Sequence, residues 1–514
     1  MLKTSEKLEL LITAEQAYPA FETAVLMAKH RIDMGFRIFD ARTPLISDAA
    51  REIGETWIDL LLHKLNQGVR VKIAITDFDP VVRPDMHHLS WKSFRVLAGV
   101  AEMSDNPSHI DIQIADHPAR VGWGPRMVLW PKIMTQLGET CEKLNELPPE
   151  MRADQLRSMP RFAELVKEDD GRLLPDKTGV PQMIPVTHHQ KVAVIDDQFL
   201  YIGGLDMNER RIDSTRHTGR PEQTWHDVHL LLRCPRRAVA ARRHLDRFQA
   251  ECAGEVGLRP PPELLRTLSV KRSSEGIYLS PVVSETGILD CHLRCIAKAT
   301  NLIYLESQFF RDPIISDALV KRASEAPDLG LVVVLPAAPE EVAFLGDEGL
   351  DHRYGEYLQA KCLNELQKAF AERLFIGSPA KLEETQDDSR AALHGAPIIF
   401  IHSKVSVFDN RRAIISSANI NGRSMRWDTE LGVEITDAEE IAKIRSQVMR
   451  CWLPRDAGPE FCAPNRAAVA HWQQLADLNA ATSPQSRRGF ILPYDVTAAE
   501  AFGTLLPGVP VEMV

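Results

Sequence analysis

The sequence predicts an α/β protein made of two similar domains, each a sheet with helices on its faces. Three observations lead there. Helical and short apolar strand patterns alternate along each half; one phrase is written twice, as THHQKVAVIDDQFLYIGGLD at 187–206 and FIHSKVSVFDNRRAIISSAN at 400–419; and the copies lie 213 residues apart, which suits a duplicated domain rather than a stacked repeat. With 514 residues, the chain also exceeds what one ordinary core holds. The expected division is 1–260 for the first domain and 261–514 for the second with its C-terminal tail.

In the first half a helical pattern at 20–31 precedes the strand GFRIFD at 35–40, and a second helix at 49–65 passes through Gln67-Gly68 into VRVKIAITDFDP. The second half repeats the order, with a helix at 289–299, the strand NLIYLESQFF, a helix at 315–323 and the strand LGLVVVLP. The proline-rich, then basic, segment 253–275 reads as the linker. Two charged, proline-interrupted segments, 143–186 and 374–397, each precede a copy of the phrase and read as insertions, either rims and lids or passive loops. Within the first, GRLLPDKT falls short of a phosphate-cradling loop, because Asp176 stands where the second glycine belongs.

Composition narrows the class. Apolar residues make up 44% and charged residues 26%, as in ordinary globular proteins, and the formal charge of −10 gives no overall attraction to a polyanion. The eight cysteines form no C-x-x-C pair and read as free thiols of a reducing compartment; Cys291 and Cys295, four apart in a helix, lack the further partners zinc needs. The start, MLKTSEKLELLITAEQAYPAF, mixes acids among its apolar residues and does not read as a signal peptide, and no window reaches the ~18 apolar residues of a membrane span. The expectation is a cytoplasmic protein, with signal-independent export left open.

Side chains at i and i+2 of a strand share a face, so His189 emerges beside Lys191, and His402 beside Lys404. Each strand ends in a turn, at Asp196-Asp197 or Asp409-Asn410, and a returning strand brings small residues and a polar side chain back near the pair. Asp196 and Asp409 read as turn residues pointing away from that face, and His188 as a structural residue on the opposite one. Lysine is no ordinary metal ligand, so a metal centre fits poorly. Two imidazoles and two fixed cations suit a phosphodiester: the lysines neutralise non-bridging oxygens, one histidine attacks phosphorus and the other protonates the leaving oxygen.

HHQKVAVID…YIGGLDMN with TWHDVHL, and FIHSKVSVFD…SSANINGRSM with WDTELG, resemble the phospholipase D superfamily and in particular its true phospholipases. RIDMGFRIFDA, RVKIAITDFDP and LIYLESQFF also look like family strands, so the likeness spans nearly the whole chain. The resemblance implies two phospholipase D-type α/β/α sandwich domains packed about a pseudo-twofold axis and sharing one active site, with His189 as nucleophile forming a phosphohistidine and His402 as acid, then base. It places Lys191 and Lys404 on the phosphate oxygens and Asn419 at the family's phosphate-side Asn position. Asp206 holds that position in the first copy, where a carboxylate cannot donate as an amide does, so it is left out and Asn208 is the weaker candidate. Asp227 and Glu430 follow the two histidines and are expected to accept the Nδ1 proton each of its own histidine, letting the pair hold one neutral and one protonated ring near neutral pH. Trp123 and Trp130 are weighed as lining a lipid entrance or as plain packing.

The implied activity is hydrolysis of a glycerophospholipid such as phosphatidylcholine to phosphatidic acid and head-group alcohol, with transphosphatidylation when an alcohol replaces water. No metal and no cofactor is required. The expected partners are the phospholipid and, transiently, a membrane surface, with no nucleic acid and the chain a monomer. The rival readings are a phosphatidyltransferase of cardiolipin-synthase type, a nucleic-acid phosphodiesterase disfavoured by acidity and length, and an inactive binding protein disfavoured by two intact phrases.

Overall fold

Residues 7–274 and 276–514 are described by the computed structural model, and they build two mixed sheets with the same internal plan. Residues 1–6 of the expected leaderless start and residue 275 of the expected linker lie outside the described residues. The first sheet contains β1 (Lys7–Ile12), β2 (Arg31–Phe36), β3 (Arg70–Thr76), β4 (Ile110–Ala115), β5 (Val192–Ile195), β6 (Phe199–Gly203) and β7 (Val228–Arg233). Their spatial order is β1-β7-β6-β5-β2-β3-β4. The second contains β8 (Leu265–Val270), β9 (Val282–Thr286), β10 (Leu302–Ser307), β11 (Gly330–Val334), β12 (Leu374–Pro379), β13 (Lys404–Phe408), β14 (Arg412–Ser416), β15 (Glu430–Ile435) and β16 (Ile491–Pro493). Its order, β9-β8-β15-β14-β13-β10-β11-β12-β16, repeats the first sheet and adds an edge strand on each side.

Pairing sense repeats too. β2, β3 and β4 run parallel, as do β10, β11 and β12, and the remaining shared neighbours are antiparallel. Crossover helices of the parallel strands cover the outer face and the other half covers the inner one, so strands such as VAVI and GLVVV are buried on both sides and read as unbroken apolar runs. Alternation then divides the cores: Val192 and Val194 face a cluster shared by both sheets, whereas Ala193 and Ile195 face the first half's own helices. The shared cluster joins Ile202, Leu230 and Leu232 to Val405, Ile415 and Val433, so the halves meet through sheet faces and the helices Pro235–Leu245 and Ala438–Arg450.

Several boundaries differ from expectation. The first helix is Thr13–Leu26 and the following strand is Arg31–Phe36, since apolar runs at 31–36 and 35–40 overlap and only the first extends β3. Residues 37–39 leave the sheet instead. The linker of 253–275 contains β8, which pairs with β15 just as β1 pairs with β7. The segment 374–397 opens with β12, a buried interior strand, so only the remainder is loop, with a small hairpin at Ala392–Leu393 and Ala396–Pro397. The segment GRLLPDKT supplies one strand of a surface hairpin, Arg172–Pro175 against Val166–Asp169, and cradles nothing.

Candidate active site

Each His-x-Lys phrase enters its strand from a short cross-half bridge. The His189 N–H donates to the Thr429 carbonyl at 2.8 Å, and the Thr429 N–H to Thr187 O at 3.0 Å. The symmetry-related contact runs from the His402 N–H to His226 O at 2.7 Å and from the His226 N–H to Phe400 O at 2.8 Å. Both bridges are parallel, His188 with Thr429 and His226 with Ile401. They satisfy backbone groups that would otherwise be buried unpaired, and they set each imidazole beside the residue that follows the other half's bridge.

The carboxylates therefore serve the opposite histidines, which corrects the expected same-half pairing. His402 Nδ1 lies 2.7 Å from Asp227 Oδ2 in hydrogen-bond geometry. His189 Nδ1 lies 2.9 Å from Glu430 Oε1, at ion-pair distance but off the N–H line, so neither atom completes a hydrogen bond. Glu430 is anchored by the Ser417 hydroxyl. In the first copy Gly204 stands at the corresponding place, and a Cβ there would fall 2.2 Å from Asp227 Oδ1. The Gly-Gly step is thus a space requirement of the acid, and the Ser-Ser step a hydrogen bond to it.

Lys191 and Lys404 are buried, and each Nζ donates to the carbonyl oxygen of its own histidine, at 2.6 Å for Lys191. Asp206 Oδ2 stands 3.7 Å from Lys191 Nζ, and its Oδ1 accepts the Ile38 N–H at 2.9 Å. Asp206 is therefore a counter-charge behind the site and does not line the cleft. Asn419 does line it, with Nδ2 donating to Gln308 Oε1 at 3.2 Å and Oδ1 unpartnered; Asn208 lines it with a similarly unpartnered Oδ1.

Burial governs the protonation. It pushes His189 and His402 well below the ordinary histidine range, and the neighbouring lysines push the same way. It lowers Lys404 to about 7 and raises Asp227 to about 7, each opposed by the other's charge. Lys191 is lowered and Glu430 raised by the same cause. Both shifts favour the neutral imidazoles, and an anion in the cleft would oppose them by favouring the protonated ring.

His189 and His402 line one cleft of about 430 Å³. Trp225 packs on His402, with ring centroids 4.6 Å apart. Beneath His402, Glu306 is enclosed by Tyr304, Trp452, Ser403 and His226, tying β10 to the second phrase. The residues read as structural are so placed: Asp196 accepts from the N–H groups of Lys29, His30 and Arg31, and Asp409 from those of Thr300, Asn301 and Leu302. His188 faces away, bonded to the Thr429 hydroxyl at 2.8 Å. Trp123 is exposed at the start of helix Trp123–Asn145 and Trp130 half-buried within it; neither lines the cleft. Among the described residues one group has metal-ligand geometry, Cys291, Cys295 and Glu434, away from the cleft and with Glu434 held by Arg412 at 2.9 Å.

Arg37, Arg211 and Arg311, all lining the cleft, were not legible as site residues. Arg37 offered the one signal: it follows the strand end where the second half has Gln308, as the paired bridges Phe39 to Met207 and Phe310 to Ile420 align them.

A family model described as "Cardiolipin synthase, PLD-like domain" matches residues 292–452. Phospholipase D alpha 3 of Arabidopsis thaliana is 24% identical over 366 residues, covering 48% of this chain and 44% of its own length. Phospholipase D1 of Schizosaccharomyces pombe is 25% identical over 346 residues, 49% of this chain and 25% of its own. The matches thus span less than half the length of these curated relatives. Among solved structures, a phosphatidylserine synthase of Haemophilus influenzae Rd KW20 aligns with 93% of this chain and 94% of its own, at 13% identity and a TM-score of 0.47.

Proposed function

Because the chain belongs to the phospholipase D superfamily, we propose that it hydrolyses a glycerophospholipid to phosphatidic acid and head-group alcohol through a phosphohistidine, with an alcohol able to replace water. One observation carries the reading: two buried imidazoles line one cleft, His402 hydrogen-bonded at Nδ1 to Asp227 and His189 with its Nδ1 2.9 Å from Glu430, each acid coming from the other half and leaving Nε2 for the reaction.

In the first step His189 Nε2 attacks phosphorus, forming a P–N bond as the P–O bond to the head group breaks. His402, protonated once the anion is bound, gives its Nε2 proton to the departing oxygen. In the second step His402 takes a proton from water, whose oxygen attacks phosphorus and displaces His189. Lys191 and Lys404 offset the charge that builds on the non-bridging oxygens, with Asn419 as the amide donor. Val82 and Leu345, cleft residues 42% and 74% exposed, give apolar contact for acyl chains or a bilayer surface at the mouth. Among the described residues no helix is long and apolar enough to cross a membrane.

The test is incubation with phospholipid vesicles, ethanol and a chelator, followed by lipid analysis. Phosphatidic acid and phosphatidylethanol are expected; glycerol-dependent cardiolipin-type products without hydrolysis would favour a synthase, and nuclease activity without lipid turnover would refute the proposal.

A further inference from the structure

The cleft contains more fixed positive charge than one phosphodiester consumes. Arg37 Nε, Arg211 Nε, and Arg311 Nε and Nη2 are buried without a hydrogen-bond partner. Arg211 is 7% exposed and Arg311 4%. Arg37 and Arg211 make no ion pair among the described residues; Arg311 pairs with Glu356 Oε1 at 3.5 Å, a carboxylate whose other oxygen accepts from Arg390 at 2.7 Å. Burying guanidinium N–H groups without partners is costly, so Arg37 and Arg211, which have no counter-charge, and Arg311, which shares Glu356 with Arg390, mark a place completed by an anion. Gly355 keeps room for one of them, since a Cβ there would fall 2.4 Å from Arg311 Nη1.

The other charges of the cleft are accounted for. Glu340 holds Arg210 at 2.9 Å, Glu341 stands 3.9 Å from Arg83, and Asp428 holds Arg423 at 3.0 Å. Asp79 accepts from the N–H groups of Val81, Val82 and Ile184. Only Asp351, exposed at the mouth, remains for a cationic head group. Each aromatic ring of the cleft already carries a cation on one face: Arg37 lies over Phe78 at 5.3 Å, Arg211 over Trp225 at 3.5 Å and Arg311 over Phe309 at 3.9 Å. A quaternary ammonium needs such faces free. This argues against phosphatidylcholine as the preferred substrate.

We propose that the site takes a phospholipid whose head group carries a second anionic group, a phosphate or carboxylate, held by Arg37, Arg211 and Arg311. The inference rests on the phospholipid reading above. The function proposed above assigns the scissile phosphate to Asn419, which lines the cleft, and to the two lysines buried behind its lining; Arg211 stacks on the same Trp225 that packs on His402. Arg37 stands where the second half has Gln308, so a guanidinium replaces an amide on the first-half wall.

The test uses the full chain and soluble dihexanoyl lipids below their micelle concentration, which removes surface charge from the comparison: phosphatidylglycerophosphate, phosphatidylglycerol and phosphatidylcholine. Release of each head group is followed. The expected kcat/KM is at least about tenfold higher for phosphatidylglycerophosphate than for phosphatidylglycerol, with phosphatidylcholine lowest. Arg37→Gln and Arg211→Gln should each bring the first ratio towards one; the ratio, not either rate, is the readout. The wild-type series decides the question even if Arg211→Gln does not fold. Equal turnover of all three lipids, or phosphatidylcholine as the best, overturns this inference and leaves the phospholipase reading standing. Cleavage of a single-stranded oligonucleotide with no lipid turned over overturns both.

Discussion

Asp227 accepts from the Nδ1 of His402, 175 residues away in sequence, and not from His189, whose half of the molecule it shares. The candidate site is therefore reciprocal: each histidine meets the acid of the other half. With the two roles proposed above, the acids become separable. Asp227→Asn impairs the acid and base, whereas Glu430→Gln impairs the nucleophile.

That separation is measurable. On a substrate with a good leaving group, Asp227→Asn should still form the adduct on His189 but hydrolyse it slowly, so mass spectrometry detects phosphohistidine. Glu430→Gln should accumulate none. Turnover should fall by about 10³-fold or more in Asp227→Asn and in His189→Ala and His402→Ala. An adduct accumulating in Glu430→Gln and absent from Asp227→Asn would reverse the assigned roles.

Gly204 tests the geometry without touching a reacting group. Gly204→Ala places a methyl 2.2 Å from Asp227 Oδ1, so the acid must move. Activity should drop by roughly 10²-fold while the melting temperature falls only by the equivalent of about 1–3 kcal/mol. Unchanged activity would mean that Asp227 is not held where the structure has it.

The lysines make anion binding pH-dependent. Lys404 is lowered to about 7 and is charged below that value. Affinity for tungstate should therefore weaken as pH rises through 7, by up to about tenfold per unit. Calorimetry in buffers of different ionisation enthalpy should show proton uptake on binding, because the anion raises both the lysine and the imidazoles. An affinity constant from pH 6 to 9 would contradict the buried cation.

Acid should destabilise the fold through histidines held neutral. Burial lowers His188 and His292 to about 4. The unfolded chain, titrating near ~6.5, then binds more protons below that pH, so stability is present above it and is lost as pH falls towards 4. Each such group contributes on the order of 3 kcal/mol at the acid end. In denaturant titrations, His292→Gln should flatten the slope between pH 6.5 and 4; an unaltered slope would place the acid sensitivity elsewhere.

Much of the fold was legible because duplication writes itself in sequence. The strands VAVI and GLVVV, buried on both faces, are unbroken apolar runs, and Asp196 and Asp409 each close a turn that the phrase announces. β8 and β12 were not legible. The first follows three prolines and the second opens a charged segment, and each owes its strand state to pairing with residues far along the chain.

By itself the sequence determined the two-part architecture and the chemical kit of two imidazoles, two ammonium groups and two carboxylates, since those depend on residue type and local spacing. Only the tertiary structure decided which acid meets which histidine and that Arg37, Arg211 and Arg311 line the same cleft. Backbone bridges between the halves make that choice, and a backbone N–H or carbonyl carries no signature of the residue that bears it.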